Sequence, residues 1–140
     1  MLYLVFNLGD EGYALPADRI TEMLPFIAPK TIRGAPAIVA GSIGYRGRYL
    51  PIVDLAQLDT GHPAASRIGT RIVVTEVRVG SRMEKVGLVL EKATELLRCE
   101  PEAFEPFAPS PRGLVQLLDL DTLLPAHLFD GFFGELEPAP

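Results

Sequence analysis

The 140-residue sequence contains one cysteine, two histidines and no tryptophan. With Cys99 alone, no disulfide can form within the chain. That excludes a disulfide-stapled scaffold and fits a reducing compartment. Cys99 reads as a small apolar strand residue. As a nucleophile it would need a base, and His62 and His127 each lie near proline in loop-like sequence (Gly61-His62-Pro63 and Pro125-Ala126-His127). No Cys/His set has metal-ligand spacing, and no cofactor is expected. Positive charge is also scarce: 13 Lys and Arg face 18 Asp and Glu, for a net charge of −5. This argues against nucleic acid as a partner and against a polybasic membrane anchor. No apolar run approaches the length that crosses a bilayer. Met1 leads straight into Leu2-Tyr3-Leu4-Val5-Phe6 with no basic segment or cleavage site. The expectation is a soluble, cytoplasmic protein with no direct membrane insertion.

Catalytic motifs are missing as well. There is no Gly-rich phosphate loop, no Ser-His-Asp set and no amphipathic helix carrying a phosphoacceptor histidine. Asp54, Asp119 and Asp121 suggest paired carboxylates, but Asp54 and Asp119 are accounted for as helix caps. The sequence reads as non-enzymatic.

What is present is apolar content, 48% of residues. It is enough to core one domain, or two small intertwined lobes. Residues 2–8 are apolar on both alternating faces and predict a strand buried on both sides. Gly9-Asp10-Glu11-Gly12 predicts a turn, and Tyr13-Ala14-Leu15 a second strand. Pro16 starts a short turn or helix, and Arg19–Leu24 is a third strand or the end of that helix. Residues 59–70 have linker composition. Arg71–Val79 predicts a strand, with a return over Lys85–Leu90. Pro101–Pro111 predicts an irregular crossing, and Leu114–Leu118 a last strand before an Asp119-capped helix over Leu120–Leu124. The tail from residue 126 to 140 places Leu128, Phe129, Phe132, Phe133 and Leu136 at helical spacing, read as a patch over the core.

Three short echoes recur in order. Leu2–Asn7 resembles Arg71–Val77, Thr21-Glu22-Met23-Leu24 resembles Thr94-Glu95-Leu96-Leu97, and Asp54–Leu58 resembles Asp119–Leu123. Together they predict two pseudo-equivalent lobes. By composition Glu91–Arg98 favours helix, but the echo makes it a short turn followed by a strand.

The most informative stretch is Gly41 to Leu55. An apolar approach leads to a hairpin tip bearing Arg46 and Arg48, with Gly44 and Gly47 close by, and Tyr49–Val53 returns. Glycines allow the tip to turn tightly and hold an arginine in place. Pro51 cannot donate to a ladder and belongs at an edge or bulge. Asp54 caps a one-turn helix, Leu55–Leu58.

Gly41, then Arg46-Gly47, then Leu50-Pro51-Ile52-Val53-Asp54-Leu55 resembles the CheW-like domain, the adaptor that couples chemoreceptors to a histidine kinase. The resemblance runs from Tyr3 to about Pro125 and is most specific over residues 36–58. Gly44-Tyr45 stands where the family usually has Asn-Leu, and the stretch from Phe104 to Gly113 is shorter than usual. These variants resemble alternative chemosensory systems more than the flagellar one. The resemblance implies a mostly β fold of two SH3-like five-stranded barrel lobes sharing a core. It implies lobe one at about 12–70, lobe two at about 71–125, and strand 2–8 completing the barrels. It implies two partners, the cytoplasmic tip of a methyl-accepting chemoreceptor and the regulatory domain of a CheA-like kinase. It places Arg46 and Glu22 at the receptor groove, paired with each other. Gly41 would let a receptor helix lie close, over an apolar floor of Ile20, Met23 and Ile43. Kinase-contacting residues are not assigned. A different class of function, a β-barrel binding a small ligand or serving as a generic interaction module, would show a deep apolar pocket inside a barrel.

Overall fold

The computed structural model describes residues 1–124 and residue 128. The strands are β1 (Leu2–Leu8), β2 (Glu11–Pro16), β3 (Glu22–Pro25), β4 (Val39–Tyr45), β5 (Arg48–Asp54), β6 (Arg71–Val79), β7 (Arg82–Arg98), β8 (Phe107–Ser110) and β9 (Gly113–Leu117). Two short helices, α1 (Leu55–Thr60) and α2 (Leu120–Leu123), each follow a strand and a capping aspartate. Single 3-10 turns cover Ala17–Arg19 and Pro101–Ala103.

β7 is 17 residues long and belongs to both lobes. Its first half, through Leu90, pairs with β6, and its second half, from Glu91, pairs with β1. One sheet therefore runs β7-β1-β2-β9-β8, and the other runs β3-β6-β7 with β5 and β4 beyond. The two plans are the same. Each contains an antiparallel hairpin, β1–β2 or β6–β7, and each hairpin's second strand pairs in parallel with a strand from the other half of the chain. The parallel pairs are Gly12–Ala14 with Val115–Leu117, and Ile52–Asp54 with Gly87–Val89. The mostly β fold of two SH3-like lobes is thus built from exchanged strands.

The expected division of the chain near residue 70 does not follow the hydrogen bonding. β6 pairs with β3, and β2 pairs with β9, so each lobe draws strands from both halves. β1 sits inside one sheet, between β2 and β7.

Alternation sorts the apolar residues into three clusters. Leu4, Phe6 and Leu8 of β1 meet Val73, Val77, Leu88 and Leu90 in a shared core between the lobes. Tyr3 and Val5, on the other face of β1, fill one barrel with Ala14, Ala108 and Val115. Ile43, Leu50, Ile52, Ile72, Val74 and Val89 fill the other. A small lobe buries little on its own, so the shared core supplies much of the stability.

Two expectations are corrected. Glu91–Arg98 carries no separate turn: β7 continues through it, bending where Lys92 takes a φ of 48° and β1 shifts register between Val5 and Asn7. The crossing at 101–111 contains a strand, β8, with Pro109 opposite Leu114. Proline is admissible there because β8 is the last strand of its sheet. Pro51 lies opposite Ser42, one residue before β5 begins to pair with β7. Of the tail, Leu128 packs against the shared core. Its other residues, and His127, lie outside the described residues.

Candidate functional site

The β4–β5 turn places Tyr45 opposite Arg48, leaving Arg46 and Gly47 at the tip with φ values of 49° and 78°. β3 runs antiparallel to β6 with Glu22 opposite Val74, so Glu22 faces the side of the sheet that Val74 helps to fill. Tyr45 packs half-buried against the same cluster. Glu22 and the hairpin tip therefore meet at one end of the barrel.

The contacts there form a closed three-residue set. The Tyr45 hydroxyl donates to Glu22 Oε1 at 2.6 Å. Arg46 donates from Nε to the Tyr45 hydroxyl at 3.1 Å and from NH2 to Glu22 Oε1 at 3.0 Å. The guanidinium carbon also lies 5.3 Å from the centre of the Tyr45 ring, a cation–π distance. The hydrogen bond from Tyr45, and after it the one from Arg46, holds the Glu22 carboxyl below its ordinary value. The hydrogen bond to Tyr45, with that to Glu22, raises Arg46. The arginine side chain remains 69% exposed and the glutamate 36%. Water screens such a pair, so it contributes orientation more than stability.

The expected Glu22–Arg46 pair is thus present. The other residues expected beside it do not assemble into a groove floor. Ile43 is buried opposite Leu50, inside the barrel. Ile20 packs against the shared core. Only Met23 of the three is well exposed, at 40%. Gly41 is buried, and a Cβ built on it would lie 2.2 Å from the Lys30 carbonyl oxygen. The space expected for a partner helix is filled by this chain's own backbone, where Lys30 and Ser42 exchange two hydrogen bonds of 2.9 Å. Gly41 marks a bulge in β4, where two segments of the chain cross.

Tyr45 is the site residue that sequence reasoning missed. Its position looked like a departure from the family pattern, and only the fold brings its hydroxyl to Glu22. A second such set also went unread. Glu95 follows Thr94 as Glu22 follows Thr21, and Arg112 precedes Gly113 as Arg46 precedes Gly47. In the other lobe Arg112 Nε lies 3.4 Å from Glu95 Oε2, an ion pair without hydrogen-bond geometry. Arg112 also donates from NH2 to the Val5 carbonyl at 2.9 Å, and its side chain is only 25% exposed. The repeated Arg-Gly was the signal that could have found it.

A separate open cleft of about 830 Å³ lies between α2, the ends of β6 and β7 near their turn, and the 3-10 turn before β3; Arg19, Val79, Met83 and Leu124 are among its lining residues. Neither Glu22 nor Arg46 lines it. Both barrel interiors are filled by side chains, so nothing favours a ligand-binding barrel. Among the described residues, no cluster of His, Cys, Asp and Glu could hold a metal ion, and no helix is long and apolar enough to cross a membrane.

A family model described as the CheW-like domain matches residues 2–126. The chain is similar to the probable chemotaxis protein CheW of Rhizobium etli, with 27% identity over 103 residues, 74% of this chain and 64% of that one. The chemotaxis protein CheW of Rhizobium meliloti matches with the same identity and coverage. The matched region thus spans just under two thirds of the length of these relatives. The fold is similar to the crystal structure of the scaffolding protein TtCheW from Thermoanaerobacter tengcongensis, with a TM-score of 0.77, 20% identity, and coverage of 91% of this chain and 89% of that one. With the family model matched along nearly all of its described length, and with the paired SH3-like lobes, the chain belongs to the CheW-like domain family.

Proposed function

We propose that this chain is a non-enzymatic adaptor of a chemosensory pathway. It bridges the cytoplasmic tip of a methyl-accepting chemoreceptor and the regulatory domain of a CheA-like histidine kinase, and it works in the cytoplasm. The observation that carries this reading is the Glu22–Tyr45–Arg46 set. It presents an ordered, mostly exposed guanidinium on a domain of the CheW-like family. Arg46 and Glu22 face the receptor, with Met23 the exposed apolar neighbour on β3. Ile43 belongs to the cluster on which Tyr45 rests. An adaptor without chemistry of its own passes signal only by differing in affinity for two states of its partners, so it must touch both.

The test is a binding experiment with purified partners, a receptor cytoplasmic-tip fragment and a kinase regulatory domain, comparing wild type with Arg46→Glu. Wild type is expected to bind both, and the variant to lose the receptor alone. A wild-type protein that binds neither partner would refute the adaptor reading and leave the fold assignment untouched.

A further inference from the structure

We infer that Tyr45 is a positioning residue: its hydroxyl fixes the Arg46 guanidinium so that one edge faces outward, ready for a carboxylate on the partner. The inference rests on the receptor-facing role proposed for Arg46 and specifies how that role is set up.

An arginine at an exposed hairpin tip ordinarily samples many rotamers, and ordering it on binding is costly. Arg46 is held instead at three points. Nε is engaged by the Tyr45 hydroxyl, NH2 by Glu22, and the guanidinium lies over the Tyr45 ring. The tyrosine hydroxyl serves in both senses, as donor to Glu22 and acceptor from Arg46, so removing it loosens both partners at once. The ring is a firm base because it packs against the cluster containing Ile43 and Leu50. With Nε and one Nη2 proton engaged, the Nη1–Nη2 edge of the guanidinium takes no part in these bonds, and the side chain is 69% exposed. That edge matches a carboxylate.

The other lobe supplies an internal comparison. It has the same glutamate and the same Arg-Gly, but no tyrosine. In its hairpin Ser110 lies opposite Gly113, where Tyr45 lies opposite Arg48. Pro111 precedes the arginine, and Arg112 sits one place further along the turn than Arg46 does. Arg112 turns inward to the Val5 carbonyl and is largely covered. The same charge pair can therefore face either way. In the outward-facing lobe, the tyrosine is what holds the arginine at the surface.

The experiment compares wild type, Tyr45→Phe and Arg46→Ala by three readouts. These are affinity for a purified receptor cytoplasmic-tip fragment, melting temperature, and the NMR signal of the Arg46 Nε–H. Phenylalanine keeps the ring and its packing. Tyr45→Phe is expected to weaken binding about three- to tenfold, the scale of one lost hydrogen bond, and to leave melting unchanged. It should also broaden or erase an Arg46 Nε–H signal that is sharp in the wild type. If Arg46→Ala weakens binding while Tyr45→Phe binds as tightly as wild type, or keeps the sharp signal, positioning by Tyr45 is wrong and the receptor role of Arg46 stands. If Arg46→Ala also binds like wild type, both fall together.

Discussion

Gly12 and Gly87 occupy the same position in the two lobes, each opposite a β-branched residue of the strand that joins in parallel, Val115 and Ile52 respectively. A Cβ on Gly87 would lie 2.6 Å from Ile52 Cδ1 and 2.9 Å from Ile72 Cγ2, both in the closed interior of a barrel. A Cβ on Gly12 would lie 3.0 Å from Val115 Cγ1. The parallel pairing that knits the halves together thus runs through two close approaches.

Gly87→Ala is accordingly expected to destabilise the protein by about 1–3 kcal/mol, the usual cost of overpacking a filled core. Gly12→Ala should cost less, because its overlap is smaller. Urea unfolding followed by far-UV circular dichroism measures both. A Gly87→Ala midpoint equal to wild type would mean that Ile52 and Ile72 can move aside.

Gly41→Ala should be worse than either. Its φ of 146° disfavours any side chain, and the new methyl would collide with the Lys30 carbonyl, which a rotamer change cannot relieve. Strain and overlap together predict a loss of about 3 kcal/mol or more. Weakened receptor binding at unchanged stability would instead return Gly41 to the contact surface.

The Arg112 and Arg46 variants should separate stability from binding. Arg112→Ala leaves the Val5 carbonyl and the Glu95 carboxylate without their partner, and it should lower stability by about 1–3 kcal/mol. Arg46→Ala removes an exposed side chain and should leave the melting curve in place. Thermal melts of the two single variants, run side by side, decide this.

Glu22 gives a pH signature. Its carboxyl is held below the ordinary value of 4.5, first by the Tyr45 hydrogen bond and then by Arg46. A depressed carboxylate contributes above its unfolded value, and the contribution is lost as pH falls through the folded one. The Glu22–Arg46 arrangement should therefore persist at pH 4.5 and disappear only in more acidic solution. A side-chain carboxyl NMR titration should show a midpoint under 4.5, rising in Tyr45→Phe. A midpoint at or above 4.5 in the wild type would contradict the hydrogen bonding described here.

The two capping aspartates should differ as well. Asp54 is buried and accepts from the backbone N–H of Gln57 at 3.1 Å and of Ala64 at 2.9 Å. Asp119 is exposed and accepts from the Asp121 N–H at 3.1 Å. Asp54→Ala should cost about 1–3 kcal/mol, and Asp119→Ala at most about 1. Equal losses in chemical denaturation would show that the Ala64 contact adds nothing.

Features governed by near neighbours could be read from the sequence. The Arg46-Gly47 turn, both caps and strand β6 all depend on residues within a few positions, and the Thr-Glu echo correctly pointed to paired lobes. Features set by distant partners were harder to read. Glu91–Arg98 has helix-forming composition but is strand because β1 offers it a hydrogen-bonding edge. β8 hides among prolines because an end strand tolerates them. Ile43 looked available to a partner, yet the alternation of β4 turns it inward beside Leu50. Glu22 and Arg46 were placed together by the family resemblance, whereas Tyr45 departs from that pattern and its role depends on where β3 lies. The assignment of strands to lobes was least legible, since it rests wholly on pairing between residues far apart in the chain.

The exchange of strands through β7 makes each half of the polypeptide the template for the other. Cut in the loop between α1 and β6, the chain would yield one piece carrying β1–β5 and another carrying β6–β9. Neither piece contains a complete sheet, so each alone would stay unfolded. Mixed, they would have every hydrogen-bonding edge they need in one another. The protein is in effect an intramolecular heterodimer, suited to fragment complementation as a reporter of its own assembly.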